Sequence, residues 1–156
     1  MRSTSRAKAA MLRNLMLVAA LLSLGAIPSQ ALARRSCSTA MYNRADSSLG
    51  RAGRSWPTLF RHQQVFGSCD DGALAEGYSD AVAKLFADRW DRFGQFEALS
   101  ARHPAFRRWV IRHIDSSATE DDLKKIVRNT RSCRRDPNGK KLCASVRQAA
   151  TKALTE

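Results

Sequence analysis

The sequence predicts an all-α protein, a compact bundle of about five helices stapled by two disulfides. Three observations point there. Apolar residues recur at spacings of three and four along successive stretches, most of them opened by a capping residue or a proline. No stretch alternates apolar and polar residues for long enough to be a strand. Four cysteines, Cys37, Cys69, Cys133 and Cys143, follow an N-terminal export leader, and an even count in an exported chain reads as two disulfides.

The leader comes first. Arg2, Arg6, Lys8 and Arg13 precede the apolar run Leu15–Ile27, and Pro28 then leads to Ser29-Gln30-Ala31-Leu32-Ala33. A positive start, a short apolar run and small residues at Ala31 and Ala33 form the pattern of a signal peptide cut after Ala33. The run of 13 residues falls short of the roughly 20 that a bilayer-spanning helix needs. No twin arginine lies ahead of it, because Arg34-Arg35 follows the cut. The general export route is therefore expected, with no cofactor inserted before export. Arg34-Arg35-Ser36 before Cys37 is not the small-apolar triplet of a lipoprotein. The expected product is a periplasmic or secreted protein without a transmembrane segment. Residues 1–33 are the signal peptide, 34–54 a loosely ordered lead-in, and 55–156 a single helical domain.

The mature chain would keep 123 residues (156 less 33), enough for one core. Its net charge falls from +13 to +9 when the four basic leader residues go. The charge is uneven. Residues 34–69 hold six basic and one acidic residue, 70–97 three and seven, 98–123 four of each, and 124–156 ten and two. An acidic middle between basic ends concerns steering and partners rather than fold.

Residues 34–54 are rich in Arg, Ser and Gly and show no sustained period, which predicts a loose segment tethered at Cys37. Ser55 caps a helix over 56–66, with Pro57 in its first turn and Gly67 as its stop. Ser68-Cys69-Asp70-Asp71 opens the longest helix, about 69–93, whose core stripe runs Leu74, Tyr78, Val82, Leu85, Phe86 and Trp90. Ala73, Gly77 and Ala81 form a narrow strip suited to the close approach of another helix. A short helix around 95–101 follows, and His103-Pro104 restarts the chain with Phe106, Trp109, Val110 and Ile114 inward. Thr119 caps a helix bearing Leu123, Ile126 and Val127, and Leu142, Val146, Ala150 and Leu154 mark the last one.

Three disulfide pairings are open to four cysteines. Asp136-Pro137-Asn138-Gly139 between Cys133 and Cys143 carries a turn signal that would bring those two sulfurs together. Cys133–Cys143 with Cys37–Cys69 is the favoured set. A four-cysteine zinc site is disfavoured because no C-x-x-C pair is present. The sequence also lacks H-E-x-x-H and G-x-S-x-G, and Lys140-Lys141 spoil any calcium loop at Asp136. No catalytic residue, metal ligand or cofactor is expected. His62, His103 and His113 are scattered, and His113 beside Asp115 stands out as the one to inspect.

Two surfaces are candidates for binding. Asp70, Asp71, Glu76 and Asp80 make an acidic patch for a partner protein, with Glu76 and Asp80 one helical turn apart. That carboxylate pair could alternatively serve a small envelope hydrolase. Lys124, Lys125, Arg128, Arg131, Arg134, Arg135, Lys140 and Lys141 could hold an anionic envelope polymer or nucleic acid, though no aromatic residue is there to stack on bases.

Cys69 opening a long helix, Gly77-Tyr78 within it, His103-Pro104 before an amphipathic helix, and Cys133 resemble the small helical periplasmic immunity proteins that neutralise type VI secretion effectors. The resemblance covers about residues 68–133. It implies a protein-binding role without catalysis, as an inhibitor or immunity factor. The Asp70-Asp71-Gly72 start and the local Cys133–Cys143 loop depart from the family pattern.

Overall fold

The computed structural model describes residues 36–133 and 137–156, and capping chemistry and core stripes place seven α-helices among these described residues, more than the five or so expected. Residues 1–33, expected to be a signal peptide, and Arg134 and Arg135 of the expected basic set lie outside the described residues. No strand occurs among the described residues, and the all-α class holds. They belong to one compact unit, and no helix among them is long and apolar enough to cross a membrane.

Helix α1 (Thr39–Ala52) starts at Ser38, whose hydroxyl accepts from Met41 N–H at 3.3 Å. It is the main correction to the expected layout, since a loose segment was expected there. Its buried face is only Ala45, Leu49 and Ala52, too small to read as a stripe among Arg and Ser. Tertiary contact supplies what the sequence pattern does not show. A Cβ at Gly77 would lie 2.7 Å from Leu49 Cδ2, and one at Gly53 would lie 2.9 Å from Ala81 Cβ. Gly77 and Ala81 are thus the small strip that lets α1 settle close against α3 (Gly72–Asp88).

Helix α2 (Trp56–Phe66) keeps its expected bounds, with Ser55 accepting from Thr58 N–H and Gly67 at the far end. A 3₁₀ turn, Gly67–Cys69, then carries the cysteine bonded to Cys37, whose Cα is 4.8 Å away. Helix α3 is shorter than expected. Asp71 caps it, Gly72 enters at φ 52°, and the chain leaves helical geometry at Arg89. Asn129 closes that end by donating its side-chain amide to Phe86 and Ala87 C=O, both at 2.9 Å. A 3₁₀ turn, Trp90–Arg92, leads to α4 (Phe93–Arg102), and Pro104 starts α5 (Pro104–Arg112).

Helix α6 (Glu120–Asn129) is capped by Thr119 as expected, with Glu120, Asp121 and Asp122 in its first turn where the helix dipole favours them. Helix α7 (Pro137–Ala153) begins before the expected point. Pro137 opens it and Asn138-Gly139 lie in its first turn, so these three residues, read as part of a reverse turn, are the start of a helix. The Cys133–Cys143 bridge joins the segment after α6 to α7, and Arg147 of α7 donates to Thr130 C=O at 2.6 Å. Both pairings are the favoured ones. Helix α3 is the centre of the bundle, with α1 and α6 against it. The core is aromatic. Trp56 lies 4.6 Å from Phe86 and 4.7 Å from Phe96 between ring centroids, and Phe106 stacks on Trp109 at 5.7 Å.

Candidate functional site

The polar residues with chemical capacity converge on the inner side of α3. Two adjacent residues on that helix, Tyr78 and Ser79, each carry one network. Both are buried.

The first network centres on His62 of α2. Nε2 is 3.1 Å from Ala45 C=O and Nδ1 is 2.9 Å from the Tyr78 hydroxyl. A carbonyl can only accept, so Nε2 carries the proton in the neutral ring and Nδ1 accepts from Tyr78 O–H. Burial pulls the His62 pKa below its ordinary value, partly offset by the Ala45 carbonyl. Burial, helped by the Asp70 charge, pushes the Tyr78 phenol far up. This arrangement ties α1, α2 and α3 together and holds its groups in their neutral forms.

The second network runs through His113, just after α5. Its Nδ1 is 3.0 Å from Ser79 Oγ, and its Nε2 is 3.1 Å from Asp70 Oδ2. Trp109 Nε1–H donates to the same Asp70 oxygen at 2.7 Å, and Ser79 O–H donates to Asp115 Oδ2 at 2.8 Å. Burial alone would raise the Asp70 carboxyl. Hydrogen bonds from His113 and Trp109, with the positive charges of His113 and Arg112, outweigh it and hold the carboxyl below its ordinary value.

Ser79, His113 and Asp70 have the composition of a nucleophilic triad, spread over the chain with no local motif. The environment argues for another role. Ser79 is 1 % exposed and His113 6 %. The hydroxyl lies in the middle of a helix, and its proton is committed to Asp115. A nucleophile needs an approach path and a base free to take its proton. The series instead locks α3, α5 and the 113–115 segment to one another.

The four acids of the expected patch have different surroundings, and Asp70 is withdrawn from the surface the others share. Asp70 turns inward, with its side chain 13 % exposed. Asp71 accepts from Gly72 N–H at 2.8 Å as the α3 cap. Glu76 is exposed, and Asp80 pairs with Lys84 at 2.7 Å, which raises the Lys84 pKa. The basic set is likewise divided. Lys124 pairs with Glu120 at 2.5 Å, and Lys125 with Asp88 at 3.0 Å and Asp122 at 3.6 Å. Arg128 and Arg131 are exposed and make no ion pair among the described residues, and Lys140 is exposed near the start of α7. Lys141 faces elsewhere, into a cleft of about 730 Å³ between α4, α5 and α7.

Sequence reasoning missed that cleft. Its signal was on α5, where Phe106, Trp109 and Val110 point inward and leave Arg107, Arg108, Ile111 and Arg112 along the opposite face. Among the described residues no group of three or more His, Cys, Asp or Glu could hold a metal ion. No protein-family model, curated protein or solved structure matches this chain.

Proposed function

We propose that this chain is an exported, non-enzymatic helical protein that binds another protein, in the manner of an inhibitor or immunity factor. The observation that carries the reading is the burial of its one Ser–His–Asp series among the described residues: Ser79 is 1 % exposed, inside α3, with its hydroxyl donating a hydrogen bond to Asp115. The groups best suited to chemistry serve the fold, so the solvent-facing charges are left to do the work. Two disulfides are compatible with an exported protein. They stiffen the scaffold, and a stiff scaffold loses less conformational entropy on docking. The resemblance to periplasmic immunity proteins implies the same role.

The docking face in this reading is the outer side of α3. Glu76 is its open carboxylate, Asp80 lies one turn on, and Asp71 stands at the helix start. Opposite charge on a partner would favour fast and specific association. The test is capture from an envelope extract on the immobilised, disulfide-bonded protein, followed by reconstitution of the captured pair from purified components. Glu76→Lys with Asp80→Lys should weaken the pair by about tenfold, the scale of a lost interfacial charge contact. Absence of any partner that reconstitutes would sink the reading. Reconstitution unchanged by the double substitution would move the docking face off α3.

A further inference from the structure

We propose that the cleft between α4, α5 and α7 binds a small amphiphilic anion, a carboxylate or phosphate carried on an apolar chain. The site is separate from the α3 face and does not depend on the protein-binding reading.

Three features of the lining converge on that ligand. First, its charge is one-sided. Arg107, Arg108, Arg112 and Lys141 line it against a single acid, Glu97. Arg107, Arg108 and Lys141 have no ion pair among the described residues, and Arg112 has only a 3.9 Å contact with Asp70. Guanidinium groups suit carboxylate and phosphate oxygens, which they can take two at a time. Second, Ala101, Ile111 and Leu142 line the same cleft as the basic side chains. A bare inorganic anion would leave that apolar surface uncovered, whereas an alkyl chain would cover it. Third, Ser100 lines the same cleft, is 4 % exposed, and its hydroxyl is buried without a hydrogen-bond partner among the described residues. A buried hydroxyl ordinarily has one, and an anionic oxygen in the cleft would accept from it. The volume, about 730 Å³, is that of an ordinary small-ligand site. No aromatic residue lines the cleft, so a nucleobase would have nothing to stack on.

Titration of sodium dodecanoate, below its micelle concentration, into the ¹⁵N-labelled disulfide-bonded protein tests this. Amide shifts should cluster on residues 97–112 and 138–145. Acetate, which lacks the chain, and dodecyltrimethylammonium, which reverses the charge, should each bind at least about tenfold more weakly. Arg107→Glu with Arg108→Glu should weaken dodecanoate by about tenfold or more, and Ser100→Ala by about threefold. Arg51→Glu with Arg54→Glu makes the same charge change on exposed residues elsewhere and should alter binding by less than about twofold. Competition by phosphatidylglycerol vesicles would assign the anion to a lipid head group, and lack of competition to a free acid. Equal binding of the cationic amphiphile, an equal loss in the Arg51/Arg54 variant, or shifts scattered outside the cleft would overturn the proposal.

Discussion

Replacing Asp70 with asparagine keeps the side-chain shape and removes the charge on which two buried donors converge. Trp109 Nε1–H at 2.7 Å and His113 Nε2 at 3.1 Å share one carboxylate oxygen. A hydrogen bond to a charged group contributes ~1.5–3 kcal/mol and a neutral one ~0.5–1.5, so converting both loses about 2 kcal/mol. Oδ1 of Asp70 is buried without a partner, and the new amide nitrogen would fall there with no acceptor, which adds to the loss. For a domain of this size the melting temperature should fall by about 5–10 °C. The pH dependence distinguishes lost charge from lost packing. Asp70 has its folded pKa below the unfolded value of about 3.9, so the unfolded chain binds more protons in the interval between them. The contribution of Asp70 is complete above that unfolded value and is lost as pH falls through the folded one. Thermal unfolding followed by tryptophan fluorescence should show the full gap between wild type and Asp70→Asn at neutral pH, closing below about pH 4. Equal melting temperatures at neutral pH, or a gap that stays constant into acid, would refute the role given to the carboxylate.

Each disulfide should contribute ~2–4 kcal/mol, so melting under reductant should drop clearly, and alkylation of unreduced protein from its native compartment should label no thiol. Gly53→Ala should destabilise by ~1–3 kcal/mol by overpacking against Ala81, because the new Cβ would lie 2.9 Å from Ala81 Cβ. Adding Ala81→Gly should return part of that loss, and a double-mutant cycle with no coupling would dismiss the contact. His62 has its pKa lowered by burial, so the unfolded chain takes up the extra proton between the folded value and about 6.5. Stability should therefore decline as pH falls below about 6.5, and His62→Gln should flatten that decline in urea midpoints; an unchanged slope would assign it to other groups. Asn129→Ala should cost ~1–3 kcal/mol, since it leaves the Phe86 and Ala87 carbonyls at the end of α3 without their side-chain donor.

What could be read from the sequence was whatever local chemistry decides. Ser55 before Trp56-Pro57, and Thr119 before three acids, are caps whose partners lie within three residues, and the structure keeps both. The cysteine pairing was read from the turn signal between Cys133 and Cys143, with Cys37 and Cys69 left to each other; both bridges are present, although Pro137 opens a helix there. Helix α1 was not readable, because its evidence is non-local. Leu49 and Ala45 count as a core face only once Gly77 and His62 are known to lie opposite. The same applies to Pro137. Asp-Pro-Asn-Gly is equally good as a turn and as a helix start, and the choice falls to packing of the α7 stripe of Leu142, Val146 and Ala150 against its neighbours.

The candidate site shows why a charge tally along a chain misplaces function. Asp70 and Asp71 are consecutive and identical in type, yet one accepts from Trp109 inside the bundle while the other caps a helix in solvent. The difference is that Asp70 meets Trp109 and His113 while Asp71 takes the extended cap position of α3, and no composition window contains it. Lys124 and Lys125 are two of the ten basic residues of 124–156, and both are met by carboxylates. Arg107, Arg108 and Arg112 fell, with Arg102, in a stretch that sums to zero against Asp115, Glu120, Asp121 and Asp122. Space then separates what the sum cancelled. Glu120 and Asp122 go to the lysines of α6 and Asp115 goes to Ser79, while the arginines of α5 line a cleft with Lys141 from α7. Net charge over a window bears on long-range steering, which salt screens beyond about a Debye length. Recognition is decided at contact range, where pairing leaves these arginines as charge still open to a ligand.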